Sequence, residues 1–192
     1  MFSDFTNLGP QATAMKALIS KEYQGVVVCV SGGADSTALF HALCRLAKGE
    51  NYFQLSAFHV NYGLRGAESD DDETFCLQMA STLGIPLSVR RISQTERDGR
   101  HGESLQEWAR RLRYEELEAW TTKGWIVATA HHLDDLAENV LMRLARGAGP
   151  GSLLGMKEGR APFWRPLLAE KKVDAPGVSD ARGRSLQNRF IK

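Results

Sequence analysis

The sequence predicts an α/β domain built as a doubly wound parallel sheet with helices on both faces. Three observations predict it. Short continuous apolar runs recur along the chain, helical patterns separate them, and the polar residues of chemical interest stand directly after the runs. Runs buried on both faces and joined by helices are the mark of right-handed βαβ units. A chain of 192 residues holds one such domain and at most a small appendage.

Each element can be taken in order. Pro10 to Ser20 reads as a first helix that packs Met15, Leu18 and Ile19 against the body. Val26 to Val30 is an unbroken β-branched run and reads as a strand covered on both faces. Leu55 to Val60, Leu87 to Ile92 and Trp125 to Ala130 are similar runs. Between them lie helical patterns. Ser36 to Ala47 follows the first strand. Ala67 to Leu83 follows the second, with Phe75, Met79 and Leu83 at four-residue spacing. Ser104 to Trp120 follows the third, with Leu105, Trp108, Leu112 and Ala119 on its expected apolar side. Leu133 to Ala145 follows the fourth. Gly147 to Gly151 is a break, and Pro162, Pro166 and Pro176 argue against a long regular element beyond it. The expected organisation is one domain over residues 1–168 and a short basic extension over 169–192, with no separate C-terminal RNA-binding domain.

Composition narrows the class. Hydrophobic residues at 43% and charged residues at 24% match a soluble globular protein. No apolar run approaches the roughly 18 residues of a membrane span. Residues 1–10 lack a basic region followed by an apolar stretch, so no secretory signal is expected. Cys29, Cys44 and Cys76 are far apart and form no Cys-x-x-Cys pair, which argues against a zinc ribbon and for free thiols in a cytoplasmic protein. The net charge of +1 hides an asymmetry. Residues 157–192 carry nine Lys/Arg and four Asp/Glu, whereas 1–156 carry 15 and 19. A segment of +5 on a body of −4 points to a polyanionic partner, or to a solvated terminus.

In a doubly wound sheet, ligands bind beyond the carboxyl ends of the strands. The first strand runs into Ser31-Gly32-Gly33-Ala34-Asp35-Ser36 and then a helix. Adjacent glycines let the backbone turn tightly and aim successive N–H groups at an anion. The helix start adds its dipole and unpaired donors. No lysine follows, so this is not a Walker loop, and the third glycine of a dinucleotide fingerprint is missing. A carboxylate beside a phosphate repels it unless a cation intervenes, which assigns Asp35 to Mg²⁺. The plain alternative is a strand-to-helix turn with Asp35 or Ser36 as a cap.

Further blocks follow the later strands. They are His59-Val60-Asn61-Tyr62-Gly63-Leu64-Arg65, Gln106-Glu107-Trp108-Ala109-Arg110-Arg111-Leu112-Arg113-Tyr114, and Thr129-Ala130-His131-His132-Leu133-Asp134-Asp135-Leu136-Ala137-Glu138-Asn139. Arg143, Arg146-Gly147, Pro150 and Arg165-Pro166-Leu167-Leu168 come after them. His131 and Asp135, then Asp135 and Glu138, share a helix side by spacing and can gather a metal ion and a histidine. An acidic first turn favoured by the helix dipole is the simpler alternative. Arg110 and Arg113 share a face, and a guanidinium there can clamp phosphate or pair with Glu107 or Glu116. The acidic run Glu68 to Glu73 reads as a solvated helix start.

The Ser-Gly-Gly-x-Asp-Ser loop with its strand and helix resembles the PP-loop ATP pyrophosphatases, whose fold is adenine nucleotide alpha hydrolase-like. The ordered set of blocks, from Val26 to Leu168, resembles the catalytic domain of the tRNA(Ile)-lysidine synthetases. That resemblance implies a ligase in which ATP adenylates the C2 carbonyl oxygen of the wobble cytidine of an isoleucine tRNA with a CAU anticodon. The ε-amine of L-lysine then displaces AMP to give lysidine. It further implies Asp35, Arg110, His131 and Asp135 as catalytic residues. Ser31, Gly32, Gly33, Ala34, Asp35, Ser36, His59 and Asn61 become nucleotide contacts, Asp35, Asp135 and Glu138 Mg²⁺ ligands, and a homodimer the expected assembly. Two departures stand out. Tyr62 occupies a position where the family usually has a second histidine, and Gln106 one where glutamate is frequent. The other expectations to weigh are a sulfur-transferring tRNA thiolase of the same superfamily and a non-catalytic nucleotide- or RNA-binding module. The first would need paired cysteines.

Overall fold

The computed structural model describes residues 23–50, 53–100, 102–131, 159–160 and 163–166, with the side chains of 49–50 and 159–160 left aside. The expected helices at Pro10–Ser20 and Leu133–Ala145 lie outside these residues, as does the extension over 169–192. In chain order the elements are β1 (Gly25–Cys29), α1 (Ala34–Glu50), β2 (Gln54–Asn61), α2 (Ala67–Leu83) and β3 (Leu87–Arg91). Then come α3 (Gln94–Asp98), α4 (Leu105–Thr122), β4 (Trp125–Ala128), β5 (Gly159–Arg160) and β6 (Phe163–Trp164).

The sheet order is β3-β2-β1-β4-β6-β5. The first five are parallel to their neighbours and β5 runs antiparallel to β6. The chain steps outward from β1 to β3, then returns through α4 to place β4 on the other side of β1. That reversal opens a crevice between the carboxyl ends of β1 and β4.

Period-two alternation explains the two cores. Val26, Val28, Leu55, Ala57, Ile126 and Ala128 point to one side, where they pack with Phe40 and Leu43 of α1 and Cys76 and Met79 of α2. Val27, Phe58 and Val127 point to the other side and meet Leu117 of α4, with Trp120 and Phe163 at the margin. Phe75 and Leu83 join the first cluster, as their spacing predicts.

α4 departs from its expected apolar side. Leu105 and Ala119 are exposed, and Trp108 and Leu117 are the buried residues. These two are two and a half turns apart, so they face opposite ways. Trp108 packs on Tyr62 of the loop after β2, and Leu117 packs on the sheet. Two short features were not foreseen. α3 begins with a capping box from Ser93 and Glu96, and β5 and β6, two residues each, extend the sheet on either side of Pro162.

Candidate active site at the carboxyl edge of the sheet

The loop after β1 is ordered by its own hydroxyls. The Ser36 hydroxyl donates to the Gly33 carbonyl at 2.9 Å and accepts the Ser31 N–H at 3.1 Å. The Ser31 hydroxyl lies 3.1 Å from it, within reach of the Gly33 N–H at 3.4 Å. Thr37 closes the first helical bond onto the Gly33 carbonyl. The opening N–H groups of α1, at Ala34, Asp35 and Ser36, are those a helix leaves without an internal acceptor. Ser36 is buried and Asp35 half-buried beside them.

Gly32 takes a φ of 78°. A Cβ there would stand 3.2 Å from the Asp72 Cβ and from its Oδ1. The loop therefore rests on α2. Contact with the Gly32 N–H partly offsets burial and nearby acids at the Cys76 thiol, which is still pushed up to about 12.

The acidic start of α2 corrects the expectation of a solvated run at its inner end only, since Glu68, Asp70 and Asp71 are exposed as expected. Asp72 and Glu73 are buried. Arg65 pairs with Asp72, and Arg91 grips Glu73 through Nε and Nη2. The hydrogen bonds from Arg91, aided by Asn61, hold the Glu73 carboxyl below its usual range against the effect of burial. Burial without a partner would be prohibitive for such groups, so the arginines are what make the site tolerable.

His59 and Asn61 share the α2 side of β2, as alternation requires. The Asn61 amide donates to Asp70 at 3.0 Å and Glu73 at 2.9 Å, and its oxygen accepts the Gly63 N–H at 2.8 Å. Both amide protons are thus engaged within the protein. His59 is buried, and its Nδ1 lies 2.8 Å from the Val30 carbonyl. A carbonyl only accepts, so Nδ1 carries a proton, and Nε2 is the ring nitrogen left over. That Nε2 has no hydrogen-bond partner among the described residues.

Across the crevice, one stripe of α4 faces a cleft. Arg110, Arg113, Tyr114 and Leu117 stand at i, i+3, i+4 and i+7, and line it together with Thr129 and His131 after β4. Phe163 and Arg165 of the β6 end complete the lining. The His131 Nδ1 sits 2.7 Å from the Thr129 hydroxyl, which fixes its ring. Arg110 lies over the Tyr114 ring and Arg165 over the Phe163 ring. The arginines at 110, 111 and 113 divide their labour. Arg111 is exposed and spent on Glu103 and Glu115, and Glu116 pairs with Arg90. Arg113 has no carboxylate partner among the described residues. Packing opposes its charge, but the Tyr62 phenol, Cys29 and Tyr114 outweigh that and its pKa is raised.

The predicted residues thus separate into two groups around the crevice. The loop Ser31–Ser36 and His59 lie at the β1 and β2 ends, and Arg110 and His131 at the cleft. Asp135 and Glu138 lie outside the described residues. Arg113 shares the face of Arg110 as their spacing predicts, on a stripe 110-113-114-117 that puts arginines where an amphipathic helix normally puts its apolar face. Thr129 and Arg165 stand inside blocks to which the sequence gives no separate role.

Mg²⁺ takes one or two carboxylates together with substrate phosphates. Asp35 beside the loop fits that pattern. No group of three His, Cys, Asp or Glu converges among the described residues, which such a site does not require.

Comparison with known proteins adds the following. The model of the PP-loop domain matches residues 8–177. A tRNA(Ile)-lysidine synthase of Pseudomonas aeruginosa is 38% identical over 165 residues, covering 84% of this chain and 36% of that protein. One of Geobacter sulfurreducens is 42% identical over 167 residues, covering 82% and 34%. The chain thus spans about a third of the length of the curated relatives it matches. Among solved structures, a U34-tRNA thiolase from Methanococcus maripaludis superposes with a TM-score of 0.61 at 19% identity, over 81% of this chain and 59% of that one. An NH3-dependent NAD synthetase from Campylobacter jejuni superposes with a TM-score of 0.57 at 19% identity, over 90% and 69%. These structures share the fold of the sheet and its helices.

Proposed function

This chain belongs to the PP-loop domain family, and on that premise we propose that it ligates L-lysine to C2 of the wobble cytidine of an isoleucine tRNA with a CAU anticodon, forming lysidine. The observation that carries the reading is the pairing of a backbone anion loop with an arginine-lined cleft on one edge of the sheet. Its curated relatives bear the corresponding name.

In the proposed reaction the C2 carbonyl oxygen attacks the α-phosphorus of ATP, and pyrophosphate leaves. The lysine ε-amine then attacks C2, loses a proton and displaces AMP. The loop Ser31–Ser36 holds the departing pyrophosphate through its N–H groups. Arg110 and Arg113 stabilise charge developing at the α-phosphate, a role suited to preorganised guanidinium donors. His131, oriented by Thr129, reaches the reacting carbonyl. His59, anchored through Nδ1 on the Val30 carbonyl, leaves Nε2 for a polar group of the nucleotide or nucleoside. Asn61 shapes the loop that follows β2. Asp35, with Asp135 and Glu138, would hold Mg²⁺, which neutralises phosphate charge when bound. The basic segment after Met156 supplies contacts to the tRNA backbone.

The cysteines support this reading over sulfur transfer. Burial pushes the Cys29 thiol up to about 12, as it does Cys76, and Cys44 is buried. Neither Cys29 nor Cys76 is a ready thiolate.

The test is pyrophosphate release by the purified chain, with isoleucine tRNA and lysine varied separately. Release that requires the tRNA, and product that requires lysine, is the expected outcome. Asp35→Ala should abolish release while the fold is kept. Full release by a well-folded Asp35→Ala variant would remove that residue from the mechanism.

A further inference from the structure

We infer that Tyr62 is a positioning residue that fixes the Arg113 guanidinium in the cleft, by a hydrogen bond from the arginine Nε to the phenol oxygen and by its ring face. The inference rests on the reading that this cleft receives the reacting phosphate.

The backbone at Tyr62 is held from two sides. The Asn61 side-chain oxygen accepts the Gly63 N–H at 2.8 Å. Arg97 of α3 donates to the Tyr62 carbonyl at 3.3 Å and to the Ile92 carbonyl at 2.7 Å. Gly63 has a φ of 63°, and a Cβ there would collide with Arg97 Nη1. The turn is therefore specified by a glycine, a buried amide and a guanidinium. It sends the Tyr62 side chain across to α4, where the ring packs 6.3 Å from Trp108.

At that helix the phenol makes two bonds with one residue spacing. Its O–H donates to the Ala109 carbonyl at 3.1 Å, and its oxygen accepts from Arg113 Nε at 3.2 Å. Ala109 and Arg113 are one turn apart, so the phenol grips both ends of the turn that carries the arginine. The Arg113 Cζ also lies 6.0 Å from the Tyr62 ring centroid, within reach of a cation–π attraction. With Nε bound to the phenol, Arg113 still lines the cleft, and no carboxylate competes for its Nη groups among the described residues. A guanidinium so fixed does not have to be ordered when charge develops at a phosphate, which is the form of stabilisation that speeds a reaction.

The position is one where the resembled family usually carries an imidazole. A phenol reaches further than an imidazole and offers an O–H donor and an acceptor at one atom, which is what the paired contacts to Ala109 and Arg113 use.

Two readouts on the full chain test this. The first is the NMR signal of the Arg113 Nε–H group, assigned by loss in Arg113→Lys. Tyr62→Phe keeps the ring on Trp108 and removes both hydroxyl bonds. It should speed hydrogen exchange at Arg113 Nε and lower its order, while the thermal midpoint shifts little. Unchanged protection of that group in Tyr62→Phe would overturn the inference whether or not the chain turns out to be a ligase. The second is the kinetic cycle of Tyr62→Phe, Arg113→Ala and the pair, read by pyrophosphate release. Tyr62→Phe should lower kcat roughly 10- to 10²-fold with KM for ATP little changed. The double variant should be no slower than Arg113→Ala alone, as for groups that act as a unit. Multiplying effects would show that Tyr62 acts independently of Arg113. A wild-type chain that releases no pyrophosphate would refute the ligase reading, and the exchange measurement would still decide the role of Tyr62.

Discussion

Gly32 and Gly33 are neighbours in one loop, yet alanine at each should fail for a different reason. At Gly32 the φ of 78° places an L-residue in a region that costs about 1–2 kcal/mol. The new Cβ would also press on the Cβ and Oδ1 of Asp72, both 3.2 Å away. Asp72 is buried and held by Arg65, so it cannot swing clear, and such overpacking adds about 1–3 kcal/mol. The smaller entropy of the unfolded alanine chain returns only about 0.5 kcal/mol. Gly32→Ala should therefore destabilise the fold by about 2–4 kcal/mol, or roughly 5–15 °C in thermal midpoint for a domain of this size. At Gly33 no left-handed φ is required, and the nearest neighbour of a new Cβ is the Ser31 hydroxyl at 3.4 Å. Gly33→Ala should change stability by less than about 1 kcal/mol. If the loop cradles phosphate, that variant still weakens ATP binding, because its Cβ rises where the backbone must approach the anion. The assays are denaturant or thermal unfolding of both variants and ATP titration of each at a temperature where it is folded. Equal stability losses, or a Gly32→Ala variant as stable as the parent, would refute the claim that α2 floors the loop. Unimpaired ATP binding by Gly33→Ala would refute the cradle.

Arg110→Ala and His131→Ala should each slow pyrophosphate release by roughly 10²-fold or more. Arg111→Ala, whose pairs with Glu103 and Glu115 are exposed to solvent, should leave the rate unchanged. Comparable rate losses in all three would mean that the α4 face was misread. Glu73 is ionised more readily in the folded chain than in the unfolded one, so its contribution to stability is full above about pH 4.5 and is lost as pH falls through the lowered folded value. Glu73→Gln should destabilise the chain near neutrality and flatten that acid limb in unfolding curves taken from pH 7 to 3; an unaltered limb would assign it to other groups. Deletion of residues 171–192 should weaken tRNA binding and reduce its dependence on salt while ATP binding is kept, since phosphate contacts release counterions. Identical salt slopes would move the tRNA surface onto the α/β body.

Much of the fold was legible because the sheet writes its pattern strongly. Four apolar runs named β1 to β4 to within two residues, and Ala67–Leu83 was placed to the residue. The turn after β1 was legible for the same reason, since Gly32-Gly33 stands directly between a strand pattern and a helix pattern. The acidic start of α2 was not. Glu68 to Glu73 is a charge run in sequence, and only the approach of Arg65 and Arg91 in space turns Asp72 and Glu73 inward. α4 misled because Trp108 and Leu117 answer to different partners, the turn at Tyr62 and the sheet, and a single apolar stripe cannot satisfy both. β5 and β6 are two residues long, too short for any periodicity to register. α3 was legible in principle, through Ser93-x-x-Glu96 followed by Gly99.

The near-zero net charge of +1 conceals how the charges are sorted. Beneath the loop, each buried acid has its own arginine, Asp72 with Arg65 and Glu73 with Arg91. On the outer side, Arg90 spans Glu96 and Glu116, and Arg111 spans Glu103 and Glu115. Acids that would repel a polyphosphate are thereby neutralised before it arrives. Arg113 is held instead by an uncharged phenol, which orders the guanidinium without cancelling its charge. A carboxylate in place of Tyr62 would order Arg113 at least as well and would remove the positive field from the cleft. A neutral partner for Arg113, where Arg65, Arg90, Arg91 and Arg111 are ion-paired, leaves at the cleft the positive charge that the proposed reaction would use.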